Sequence, residues 1–75
     1  MTLDAVPFNV TVLIHGFLGL GELDKTRLTG LGLRPGVSLT KILRTPLGDP
    51  IECLVGAQLL ALEARLLPLI RVEMP

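Results

Sequence analysis

The sequence predicts one small, mainly β domain with a single short helix. Three observations carry this. Several segments alternate apolar and polar residues with a period of two, between Asn9–His15, Val37–Thr45, Ile51–Val55 and Leu69–Glu73. The string Pro46-Leu47-Gly48-Asp49-Pro50 is a strong turn signal between two of them. The chain has 75 residues, enough for one domain over residues 1–75 and no more.

Asn9–His15 places Val10, Val12 and Ile14 in alternation with Thr11, Leu13 and His15, and this β-branched pattern predicts the first strand. Gly16, Gly19 and Gly21 then interrupt regular structure. A short helix is predicted over about 22–31. Glu22 and Asp24 sit at its positive end, and Leu28 and Leu31, three apart, share one face. Gly32 is placed to cap it in a left-handed conformation, with Leu33 folding back onto the last turn. Pro35 cannot continue the helix.

Val37–Thr45 and Ile51–Val55 form a hairpin with a proline-stiffened tip, and Gly56 permits a further reversal. Ala57–Leu67 reads as helix on propensity, from its Ala, Leu, Gln, Glu and Arg and the spacing of Leu59, Leu62 and Leu66. Pro68 stops that element, and Leu69–Glu73 alternates as a final strand.

Composition restricts function. Net charge is zero, without the basic footprint of a nucleic-acid binder. Lys25, Arg27, Arg34, Lys41 and Arg44 do follow one another without an intervening acid; a solvated face is the simpler account, an anionic partner surface the other. With 49% hydrophobic residues, no Trp or Tyr, and only Phe8 and Phe17, the core must be aliphatic. The surplus leucine is either ordinary surface or a contact patch. One cysteine, Cys53, cannot form an internal disulfide and fits a reducing, cytoplasmic setting. The opening Met1-Thr2-Leu3-Asp4 is unlike a signal peptide. The longest apolar run, Cys53–Leu62, is well short of the roughly 20 residues a membrane-spanning helix needs.

The segment from Arg27 to Gly36, R-L-T-G-L-G-L-R-P-G, followed by a strand and then T-P-L-G-D-P-I-E, resembles the FeoA family of small ferrous-iron transport proteins A. The likeness continues through Gly56, Leu60-Ala61-Leu62, Ala64 and Ile70-Arg71-Val72, and covers roughly residues 9–73. It implies an SH3-like small barrel of about five strands. It replaces the helix expected at Ala57–Leu67 with a strand over 58–62 and a helical turn over about 63–67, in line with the way pairing overrides propensity. The sequence departs from the family where a Leu-x-Pro-Gly-like turn often precedes the first strand: Val6-Pro7-Phe8-Asn9 has no glycine.

The resemblance also implies a cytoplasmic accessory protein, without a cofactor, whose partner is the membrane ferrous-iron permease with its GTPase domain. No GTPase chemistry is expected in this chain. Gly16–Gly21 has P-loop glycine spacing, but Glu22 stands where the lysine should be. Gly19-Leu20-Gly21 lacks the third glycine of a dinucleotide loop, Asp24 taking its place. One histidine and the candidate nucleophiles Ser38 and Cys53 make no catalytic set, so no enzyme is expected. His15 and Cys53 lack metal-ligand spacing, so no metal site is assigned, and Cys53 reads as core. Two phenylalanines cannot line a polyproline groove or stack a single nucleic-acid strand.

The candidate partner-binding residues are Leu47, Gly48, Asp49 and Pro50, a stiff turn with an apolar anchor. A second reading is a metal-responsive regulatory domain like those appended to metal-dependent repressors, with a site assembled from His15, Cys53 and nearby carboxylates. A third is a self-associating domain whose apolar strands pair edge to edge.

Overall fold

Thr11–Phe17 (β1) buries Val12 and Ile14 and exposes Thr11 and His15, the alternation expected of a half-buried strand. The computed structural model describes all residues from Met1 to Pro75. The strand begins later and ends later than the sequence suggests. Asn9 has φ +66°, a left-handed backbone that keeps it out of the ladder, and its N–H donates to the Lys41 carbonyl at 2.8 Å. Asparagine tolerates that conformation better than most residues. It therefore supplies the positive φ for which the sequence shows no glycine in Val6–Asn9. At the other end Gly16 does not terminate the strand. The register shifts between Ile14 and Gly16, a bulge that lets β1 run on to Phe17.

Glu22–Gly30 (α1) follows, one residue shorter than expected. Leu31 closes it and Gly32 takes φ +104°. The Gly32 N–H donates to the Thr29 carbonyl at 3.1 Å and the Leu33 N–H to the Leu28 carbonyl at 3.0 Å, which together make a Schellman cap. Only Leu28 of the helix is buried.

Ser38–Arg44 (β2) and Ile51–Val55 (β3) form the expected hairpin, with a bulge between Lys41 and Leu43. Gln58–Leu62 (β4) pairs with β3 along its whole length. Gly56 takes φ +60°, so the two-residue turn has the shape that suits a twisted hairpin. The strand at 58–62 is what the family resemblance implies and what propensity alone would miss. Backbone groups of β3 need a neighbour, and the pairing outweighs the intrinsic preference of Leu and Ala.

Ala64–Leu69 is a 3-10 segment that reaches past the expected turn at 63–67 and contains Pro68. A proline φ near −65° suits a 3-10 turn, so the residue that would stop an α-helix does not stop this one. The last strand, Ile70–Glu73 (β5), starts one residue later than expected. A second 3-10 turn, Leu3–Ala5, precedes β1 and carries no sequence signal, yet Leu3 is fully buried.

The five strands form one antiparallel sheet in the order β4-β3-β2-β1-β5. Its inner face closes over 15 buried apolar residues, all aliphatic apart from Cys53, with Phe8 and Phe17 packed at the rim. The outer side of β5 is covered by the N-terminus: Val72 N–H donates to the Met1 carbonyl at 2.9 Å and Thr2 bridges Arg71. No helix is long and apolar enough to cross a membrane.

Candidate partner-binding surface

The connection from β2 to β3 is fixed at several points. Gly48 N–H donates to the Thr45 carbonyl at 2.8 Å, and Thr45 N–H to the Pro50 carbonyl at 3.3 Å. Arg44 Nη1 donates to the Gly48 carbonyl at 3.0 Å. Gly48 has φ +86°, a conformation only glycine adopts cheaply, and Asp49-Pro50 is a cis peptide. Asp49 Oδ1 accepts the N–H of Ala64 at 2.9 Å, which ties the tip to the first turn of the 3-10 segment. Thr45 Oγ1 is buried beside the turn without a hydrogen-bond partner.

The four residues singled out by the sequence therefore divide. Gly48, Asp49 and Pro50 shape and anchor the turn. Leu47 is left 94% exposed, the most exposed large apolar side chain of the molecule. Leu43 on β2 and Leu59 on β4 are also exposed. The surface holds no pocket, and the tip protrudes from it.

The basic residues between Lys25 and Arg44 do not make one solvated face. Lys41 is 4% exposed, on the core side of β2 opposite Cys53. Its ammonium lies 5.1 Å from the centre of the Phe8 ring, and Arg44 approaches the same ring at 5.9 Å. Burial lowers the Lys41 pKa, and burial pushes the Cys53 thiol up to about 11. The phase of Leu39 and Lys41 on one strand was the available signal for an inward lysine. Arg34 Nε donates to the Thr29 carbonyl at 3.3 Å, at the negative end of α1.

Arg27 belongs to a closed ring of charges that no local pattern announced. It reaches Asp24 at 3.3 Å and Glu63 at 2.9 Å. Arg65 completes the ring, through Glu63 at 2.9 Å and through both oxygens of Asp24 at 3.0 and 3.2 Å. The Arg65 hydrogen bond holds the Asp24 carboxyl below its ordinary range, and Asp24 and Glu63 in turn raise the Arg65 pKa. The ring joins α1 to the segment after β4.

His15 and Cys53 are not brought together. His15 is exposed on β1, with Nδ1 3.6 Å from a Glu73 carboxylate oxygen, whereas Cys53 is fully buried. No three His, Cys, Asp or Glu side chains cluster in metal-binding geometry.

An antiparallel five-stranded sheet over an aliphatic core, with one inserted helix and a protruding turn in place of a pocket, defines a small SH3-like domain. The model of the FeoA domain matches residues 1–74, and the chain belongs to that family. Among solved structures, iron(II) transport protein A from Clostridium thermocellum is 35% identical with a TM-score of 0.82, over 99% of this chain and 45% of that one. This chain thus spans less than half the length of that relative. The FeoA protein of Chlorobium tepidum is 27% identical with a TM-score of 0.88, over 99% of this chain and 70% of that one. The Stenotrophomonas maltophilia FeoA, solved with zinc and described as an SH3 domain protein and a candidate ferrous iron transport activating factor, is 25% identical with a TM-score of 0.79, over 97% of this chain and 89% of that one. A search of curated proteins returns no match.

Proposed function

We propose that this domain is a non-enzymatic, cytoplasmic accessory protein of ferrous-iron uptake that acts by binding the GTPase-bearing ferrous-iron permease. Family membership supplies the iron-transport setting. The observation that carries the binding mode is Leu47, 94% exposed on a turn held from both sides by Arg44 and Asp49. A turn fixed in advance loses little entropy on docking, so its apolar anchor retains most of its contact energy. The test is a pull-down of the permease's cytoplasmic domain with this protein, with and without guanine nucleotide. The wild type co-purifies and Leu47→Asp does not. Undiminished capture by a folded Leu47→Asp protein moves the contact elsewhere, and no capture by wild type in either nucleotide state defeats the reading.

A second reading, a metal-responsive domain, draws on the zinc complex of the Stenotrophomonas relative. In this chain it lacks a preformed cluster, because His15 and Cys53 stand apart. Calorimetry with zinc and ferrous iron separates the two readings: tight stoichiometric heat favours the second.

A further inference from the structure

The two ends of the sheet are treated differently. The N-terminus covers β5. β4 is the last strand of the sheet and nothing pairs with its outer side. It reads Gln58-Leu59-Leu60-Ala61-Leu62, without a charge or a proline, and its register with β3 has no bulge. Charges, prolines and bulges are the devices that usually keep an edge strand from pairing. Gln58 and Ala61 are exposed, and Leu59 is 69% exposed.

The hairpin turn decides which backbone groups are free. A two-residue turn at Gly56-Ala57 makes Val55 and Gln58 a hydrogen-bonded pair, and the alternation then directs the backbone of Leu60 and Leu62 to β3 as well. The N–H and C=O of Leu59 and Ala61 point away from the sheet.

We propose that β4 is the surface through which two copies of this chain pair, antiparallel, about a two-fold axis at Leu60. In this register Leu59 of one copy faces Ala61 of the other, and the pair exchanges both hydrogen bonds. The symmetric pair does the same, so every free group of both strands is used. Large Leu59 lies beside small Ala61, and Leu60 meets Leu60 of the second copy. The strand carries no charge, so self-pairing opposes no like charges. Such a contact is isologous and closes at two. The apolar outer row, where Leu54 faces Leu59, continues onto the second copy.

Sedimentation velocity of the full chain over a concentration series reaching millimolar tests this. The wild type is expected to show a reversible monomer–dimer equilibrium. Ala61→Pro removes an N–H that the monomer does not use, and Leu59→Lys puts a charge on the edge. Each is expected to weaken the dimer at least about tenfold, the loss of roughly one hydrogen-bonded contact. Should Ala61→Pro fail to fold, Leu59→Lys carries the test, since it changes only an exposed side chain. Leu60→Cys is expected to crosslink into covalent dimers on mild oxidation, because directly opposed residues of a non-hydrogen-bonded pair lie about 4.5 Å apart, within disulfide reach. Cys53 stands directly opposite Leu60 across the β3–β4 ladder, so the crosslink is tested in a Cys53→Ala background, where no internal disulfide competes. A wild type that stays monomeric throughout overturns the proposal. So does a dimer that persists in a folded Leu59→Lys protein, or one that Leu60→Cys cannot crosslink.

Discussion

The Leu33 amide donates to the Leu28 carbonyl at 3.0 Å, and both leucine side chains are fully buried. One hydrogen bond thus ends α1 and delivers the chain into the core on its way to β2. It depends on Gly32 at φ +104°, where no neighbouring atom lies within 4 Å of an added Cβ.

Gly32→Ala therefore meets a conformational cost without a steric one. The expected destabilisation is about 1–2 kcal/mol. For a domain of this size that lowers the melting temperature by about 4–8 °C per kcal/mol, readable by thermal circular dichroism.

The charge ring of Asp24, Arg27, Glu63 and Arg65 makes stability depend on acid. The folded Asp24 pKa lies below its ordinary value of 3.8. The unfolded chain then binds more protons, so the contribution is present above 3.8 and is lost as pH falls through the folded value. Asp24→Asn is expected to melt below wild type at neutral pH, with the difference closing in acid and in high salt. A difference that persists unchanged at the lowest pH at which both fold contradicts this.

Lys41 is the one buried charged residue. Its folded pKa is lowered from 10.5, so the unfolded state binds more protons and wild-type stability rises with pH toward that value. Lys41→Met keeps the length and removes the desolvation cost, and is expected to match or exceed wild-type stability at pH 7. Its advantage shrinks as the pH is raised toward 10. Cys53 works in the opposite sense: its pKa is raised from 9.0 to about 11, so its contribution is complete below 9 and is lost as pH rises through 11. The Lys41 charge itself lowers the Cys53 value, so this loss differs between the two proteins and adds to the shrinking advantage of Lys41→Met above pH 9.

At the tip, the residues that hold the turn are distinct from the one left exposed, Leu47. Asp49→Ala removes the acceptor for the Ala64 N–H, and is expected to cost about 1 kcal/mol in denaturant unfolding, as for a helix cap. Leu47→Asp, on an exposed side chain, is expected to stay within about 0.5 kcal/mol of wild type.

Thr45→Val keeps the side-chain shape while removing a buried hydroxyl that has no partner. It is expected to leave the tip intact and to raise the unfolding midpoint. A lower midpoint shows that the hydroxyl is satisfied in solution.

The sequence made the local features readable. β3 spans Ile51–Val55 as expected, because Pro50 and Gly56 fence a clean alternation. Gly32 marked the helix end for a reason of backbone geometry alone. At Asn9 and Gly16 the residue type misled: asparagine filled a left-handed position inside an apparent strand, and a bulge carried the strand through a glycine. β4 was legible only through the family, since its ladder with β3 is tertiary information that Leu and Ala do not encode. The tip was recognisable as a turn, but its division of roles was not. Asp49 reaches Ala64, 15 residues on, and Arg65 reaches Asp24, 41 residues back, separations at which no local pattern exists.

Because Arg44, Gly48 and Asp49 hold the β2–β3 turn through backbone atoms and a distant amide, the shape of the loop owes nothing to the Leu47 side chain. Position 47 is in effect a display site. Under the proposed docking mode, a library varied at that one residue samples partner preference on a constant scaffold, so binding selections from it report chemistry at a single contact, undistorted by differences in folding.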